Sequence, residues 1–178
     1  MRTTFERVTT QPQVHDVVRL ANTIWTEHYT PIIGKEQVVY MLTTYHSSQT
    51  ITKEIANDNI HYYLIFHDTT PVGYMGIRFD DKNLFLSKLY LLSDMRGCGF
   101  GKEAIGFISN VAVSHRLQTI ILTVNKNNTD SIAAYTAMGF ITTRELRADI
   151  GEGYVMDDYV MELDIAQKDA ITTESMLQ

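Results

Sequence analysis

Apolar residues recur at spacings of three and four in the first part of the chain. Val14, Val17, Val18, Ala21, Ile24 and Trp25 follow Pro12 in this rhythm, which predicts a helix with one buried stripe. Pro31 and Gly34 in "HYTPIIG" interrupt the pattern, so the helix should end there. A second helix is expected from Glu36 to Tyr45, carrying Val38, Val39, Met41 and Leu42, with a short polar helical piece around Lys53. The rhythm then changes. "HYYLIFH", "PVGYMGIRF" and "NLFLSKLYLL" are rich in aromatic and β-branched residues, and only "DTT" and "DDK" separate them, which predicts an antiparallel meander. Helical spacing returns with Ala104, Ile105, Phe107, Ile108, Val111 and Ala112. A strand at "QTIILTV", a helix from about Asp130 to Met138, and strands near "FITTREL" and "YVMDDYVMELD" complete the order. A meander joined to a strand, helix, strand, helix passage predicts an α/β (α+β) fold, one layer of sheet with helices packed on it. No internal repeat interrupts this order, and "AQKDAITTESMLQ" is a polar tail.

Composition narrows the picture. At 178 residues and 44% hydrophobic content, the chain has the size of one globular domain with a sizeable core. Fifteen basic residues against 21 acidic ones give a net charge of −6 with no basic run, which argues against nucleic acid as a partner. The single cysteine, Cys98, excludes an internal disulfide framework. The start "MRTTFERVTTQPQVHD" lacks the apolar block of a signal peptide, and no later run is apolar for the length of a membrane helix, so a soluble cytoplasmic protein is expected, with no membrane partner.

The most specific stretch is "RGCGFGK", Arg96 to Lys102, where Gly97, Gly99 and Gly101 alternate with Cys98 and Phe100. Between a strand and an apolar-striped helix, such a loop can turn several backbone N–H groups into one concavity at the positive helix end, the way backbone holds phosphate oxygens. It lacks the spacing of a nucleotide-triphosphate loop and of a dinucleotide fingerprint. A tight turn before a helix is the alternative reading.

"RGCGFG" matches the R/Q-x-x-G-x-G/A acyl-CoA pyrophosphate loop of the GCN5-related N-acetyltransferase (GNAT) superfamily, after the fourth strand where that family carries it. "LTVNKNNTDSIAAYTAMGF" resembles the second family signature through Asn128, Ser131, Tyr135, Gly139 and Phe140. "GYVMDDYVMELD" is similar to the last strand of a bacterial branch that includes polyamine and other small-amine acetyltransferases. The resemblance covers about residues 3 to 164. It implies an acyl-CoA N-acyltransferase domain over residues 1–165 with a polar tail at 166–178, and a mixed central sheet that splays after strand four, with helices on both faces. It implies acetyl-CoA as cosubstrate without a metal, a primary amine such as a polyamine as acceptor, and pairing of two copies, as family members often do.

The resemblance also distributes roles. Backbone at Leu91 and Leu92 would pair with pantetheine, with an N–H near Leu92 polarising the thioester carbonyl, and the loop from Arg96 to Gly101 would hold the pyrophosphate. Arg96 and Lys102 are candidate supplementary charges; Lys102 reads equally well as a solvated lysine. Asn128 and Ser131 are candidate cofactor contacts, and Asn128 also suits a helix cap. Tyr135 is the candidate proton donor to the departing thiolate, with ring packing as the alternative. The acidic residue that related branches place in strand four is replaced by Ser87, which leaves the general base unassigned. His28, Tyr29, Ser87, Tyr90, Asp157 and Tyr159 are candidates for the acceptor side, against plain packing. A nucleophilic role for Cys98 lacks a histidine partner in the sequence.

Overall fold

The computed structural model describes residues 2–57 and 59–165; the expected polar tail lies outside the described residues. Strand β1 (Thr3–Arg7) leads to helix α1 (Gln11–Ile24), a π-helical turn (Trp25–Tyr29), a short α2 (Thr30–Ile33), α3 (Lys35–Tyr45) and α4 (Ser48–Asn57). Then come β2 (His61–His67), β3 (Thr70–Asp80), β4 (Asn83–Leu91), α5 (Phe100–Ser114), β5 (Thr119–Asn125), α6 (Thr129–Ala137), β6 (Ile141–Gly151) and β7 (Tyr154–Asp164). The seven strands form one mixed sheet in the order β1-β2-β3-β4-β5-β7-β6, with helices on both faces. The expected α/β class is therefore the observed one.

The chain divides into two compact units. The first comprises residues up to Arg78 together with Ser87–Ala104. Its helix α1 starts where Pro12 fits the first turn and the Gln13 side chain accepts hydrogen bonds from the backbone N–H groups of Thr9 (2.8 Å) and Thr10 (3.0 Å). Its buried stripe is Val14, Val17, Leu20, Ala21 and Ile24, each large member contributing about 1.5–3 kcal/mol through burial. Strands β1 and β2 pair antiparallel from Thr3↔His67 to Arg7↔Tyr63, and β2 pairs antiparallel with β3 across a bulge at Ile65/Phe66. In α3 only Val38 and Met41 of the four apolar positions are buried; Val39 is exposed.

The second unit holds Phe79–Leu86 and the chain from Ile105 onward. Asn83–Leu86 pairs parallel with Thr119–Leu122, and β7 lies antiparallel between β5 and β6. Ile120, Leu122, Val124, Met161 and Leu163 are buried there together with Phe140. Adjacent residues of a strand face opposite ways, and this separates the two aspartates of β7: Asp157 is exposed while Asp158 is buried.

Candidate functional site

In the first unit, a short 3₁₀ turn (Ser93–Met95) follows β4 and leads into the glycine loop. The first bond of α5 runs from the Glu103 N–H to the Gly99 carbonyl at 3.0 Å. The N–H groups of Phe100, Gly101 and Lys102 therefore have no partner within the helix and point out of its end, beside the loop. Gly97 and Gly99 adopt φ of 73° and 96°, and a Cβ built at either meets nothing within 4 Å. Gly101 differs. Its φ is negative, and a Cβ would meet only a Leu91 methyl, at 3.9 Å, so neither strain nor crowding in this fold requires glycine there. The loop is exposed at Gly97, Cys98 and Gly99, Phe100 is buried as its apolar anchor, and Lys102 lies on the surface. Exposed donors around open space suit an anion of the size of a pyrophosphate.

Arg96 turns its side chain back toward the strand end. Its Nε and Nη2 donate to the Leu91 carbonyl at 3.2 and 3.1 Å, and its Nη1 donates to His28 Nδ1 at 2.6 Å. The guanidinium is thus engaged by protein groups. The Leu92 N–H donates to the Val72 carbonyl at 3.0 Å, so the expectation that it polarises a thioester gives way to a structural bond to β3. Leu91 and Leu92 are half-buried at the end of β4. Close to them lies Gly73 of β3, where a Cβ would collide with the Tyr90 carbonyl oxygen and the Leu91 side chain. Only glycine lets β3 approach β4 this closely.

The acceptor-side candidates of this unit come together as an aromatic group. Trp25 stacks on Tyr29 at 4.3 Å between ring centroids and lies 5.5 Å from Tyr90, and Tyr29 meets Tyr90 edge-on at 6.0 Å. His28 stands edge-on to Tyr29 at 4.8 Å. His46 and Tyr74 pack against this group, and with them comes a polar cluster of which the sequence reading named only Ser87. The buried Lys88 ammonium donates to Glu54 at 3.0 Å and to the Ser87 hydroxyl at 3.4 Å, and the Tyr62 hydroxyl donates to the same Glu54 carboxylate. Burial pushes the Lys88 ammonium below its ordinary range, against the stabilising carboxylate of Glu54. His46, fully enclosed and near the Lys88 charge, is pushed down to about 3; its Nδ1 lies 3.2 Å from the Tyr74 hydroxyl.

In the second unit, buried Asn128 caps α6 by accepting from the Ser131 N–H at 3.4 Å, in line with the capping alternative. Tyr135 is half-buried and meets Phe140 edge-on, 5.5 Å between centroids. Lys126 joins Asp157 (2.6 Å) and Glu145 (2.7 Å) and lies 5.6 Å over the Tyr159 ring. Those two carboxylates hold the Lys126 ammonium above its ordinary range, so the Asp157 carboxylate is already paired with Lys126. Asp158 has one carboxylate oxygen buried without a hydrogen-bond partner, and burial pushes its carboxyl up to about 6. Among the described residues, no group of three or more His, Cys, Asp or Glu side chains is placed to hold a metal ion, and no helix is long and apolar enough to cross a membrane.

The sequence model of the acetyltransferase (GNAT) family matches residues 18–140. The chain belongs to that family. The matched span contains the glycine loop, the acceptor-side aromatic group and the α6 signature with Tyr135. Similar folds occur in solved GNAT structures of low sequence identity. PaiA N-acetyltransferase from Thermoplasma acidophilum, in complex with coenzyme A, superposes with a TM-score of 0.77 at 18% identity, over 92% of this chain and 99% of that one. A ribosomal-protein alanine N-acetyltransferase from Escherichia coli gives 0.68 at 14% identity, over 92% and 94%. A variant of spermidine N-acetyltransferase from Vibrio cholerae gives 0.65 at 15% identity, over 93% and 95%. Membership of the GNAT family supports acetyl-CoA-dependent acyl transfer to an amine as the general chemistry.

Proposed function

We propose that residues 1–165 form an acetyl-CoA-dependent N-acetyltransferase of the cytoplasm, acting on a primary amine of small size such as a polyamine. The observation that carries this reading is the loop Arg96–Lys102. Its positive-φ glycines face open space at the donor end of a fifteen-residue helix, inside the span matched by the GNAT family. The residues that would hold the cofactor are the loop backbone from Gly97 through Lys102; the Leu91 carbonyl and the Leu92 N–H, expected to pair with pantetheine, are already bonded to Arg96 and Val72, and Arg96 would contribute its backbone and its grip on Leu91 rather than a free charge.

On this reading a neutral amine nitrogen attacks the thioester carbonyl carbon, the C–S bond breaks, the amine gives up one proton to solvent, and the thiolate takes one. Tyr135 is the group we assign to supply the thiolate proton. The half-buried Tyr29 and Tyr90, with Trp25 behind them, would flank the acceptor, since aromatic faces attract an incoming ammonium. A protein N-terminus is the second acceptor class, because amine and peptide acetyltransferases share this fold at similar identity. Binding without turnover is a further alternative, favoured by Ser87 at the position of the expected acid.

The test is release of free thiol from acetyl-CoA with polyamines, amino sugars, amino acids and short peptides as acceptors. At least one primary amine should yield turnover that rises with pH as its ammonium loses a proton. With that amine, Tyr135→Phe should keep acetyl-CoA affinity and lower kcat by roughly tenfold to a thousandfold when chemistry limits the rate. CoA binding with no turnover across the panel would favour the binding-domain reading, and turnover of peptides alone would replace the small-amine acceptor.

A further inference from the structure

The π-helical turn Trp25–Tyr29 is the part of the site that neither the cofactor loop nor the thiolate chemistry explains. Turns of this kind are rare inside helices and recur at functional sites, because the extra residue re-aims the side chains that follow. Here two consecutive residues of the turn reach the segment after β4. Glu27 Oε2 accepts from the Ser93 hydroxyl at 3.0 Å, and His28 Nδ1 accepts from Arg96 Nη1 at 2.6 Å, across 68 residues of sequence. A guanidinium only donates, so Nδ1 must be the unprotonated ring nitrogen and the ring proton of the neutral imidazole sits on Nε2. Arg96 Nε and Nη2 also donate to the Leu91 carbonyl. Arg96 is therefore fixed at two ends, by the last residue of β4 and by the turn, and the residue after it is Gly97.

From this geometry we infer that His28 is a positioning residue for the cofactor loop: it holds the Arg96 guanidinium on the Leu91 carbonyl and so sets where the Gly97–Gly101 backbone begins. This inference rests on the acyl-CoA reading for its consequence and on the Arg96 hydrogen bonds for its cause. A third charge-assisted hydrogen bond removes the freedom of a long side chain that would otherwise swing into solvent, and a loop fixed before binding spends less affinity on ordering. His28, expected as an acceptor contact, would then act through Arg96 on the diphosphate.

The experiment compares wild type with His28→Phe, which keeps a ring but offers no acceptor, His28→Gln, which restores an acceptor oxygen, Arg96→Gln, and the Phe and Gln changes at 28 and 96 combined. Two quantities are read: CoA affinity by calorimetry, and amide hydrogen exchange of residues 95–99 in the free protein. His28→Phe should weaken CoA binding about five- to fiftyfold and speed loop exchange, His28→Gln should return both to within about threefold of wild type, and His28→Phe should add nothing to Arg96→Gln. Unchanged CoA affinity and loop exchange in His28→Phe, or effects that multiply in the double variant, would overturn the inference. Wild type that takes up no CoA would overturn the acyl-CoA reading instead; the exchange cycle then decides alone, non-additive acceleration supporting the positioning role and its absence refuting it.

Discussion

At the scale of single residues, the two aspartates of β7 show how a one-residue step changes chemistry. Asp157 reaches solvent and pairs with Lys126, whereas Asp158 turns inward and keeps an oxygen without a partner. Its carboxyl ionises near 6 in the folded chain, against an ordinary value of 3.8, because burial disfavours the anion. Between those two pH values the folded state binds more protons than the unfolded state, so this residue's contribution to stability falls as pH rises through that window and stays low above it. Asp158→Asn lacks the titration. The variant should therefore lose ground to wild type as pH falls from 7 to 4, by about 1–2 kcal/mol once the full shift is discounted for solvent screening, in urea unfolding at a series of pH values. A stability difference that stays constant with pH would show that Asp158 ionises normally. From sequence, "DD" in a strand says that one of the pair points inward; which one follows from register, and register is set by the ladders to β5 and β6.

At the scale of elements, β4 joins the cofactor end to a buried ion pair. The Lys88 and Glu54 side chains are 8% and 15% exposed, and Glu54 also accepts from Tyr62. Removing one partner strands the other charge in the interior. Glu54→Ala should destabilise the protein by about 3–5 kcal/mol in urea unfolding, and Glu54→Leu combined with Lys88→Met should recover most of that loss; equal losses in the single and double variants would contradict the pairing. The meander, the α5 stripe and the β5–α6 passage were legible in the sequence because their periods are sustained over several residues and end at glycine or at turn formers. Strand β1 was not, since "TTFER" alternates for only five residues and gains its place by pairing with β2. Nor was the π turn: "WTEHY" continues the α1 rhythm, and the wider backbone hydrogen-bond pattern that defines the turn leaves no mark in residue spacing. The Lys88–Glu54 pair was hidden for a different reason, because 34 residues separate the partners and each alone reads as a solvated charge.

At the scale of the whole molecule, the central claim is that the loop after β4 binds the diphosphate of acyl-CoA. The spacing of its glycines suggested a phosphate cradle, while the separate reason for each glycine required the backbone. At Gly99 the φ of 96° already disfavours any side chain, so a substitution there mixes folding with binding. Gly101 separates the two, since the fold itself does not call for glycine at that position. Calorimetric titration of CoA into wild type, Gly101→Ala and Gly101→Asp is thus the most direct measurement. The account predicts that Gly101→Ala binds CoA comparably and gains about 0.5–1 kcal/mol of apo stability from its better helical residue, whereas Gly101→Asp stays folded and loses binding because its carboxylate stands where the phosphates lie. A folded Gly101→Asp protein that binds CoA as tightly as wild type would contradict it.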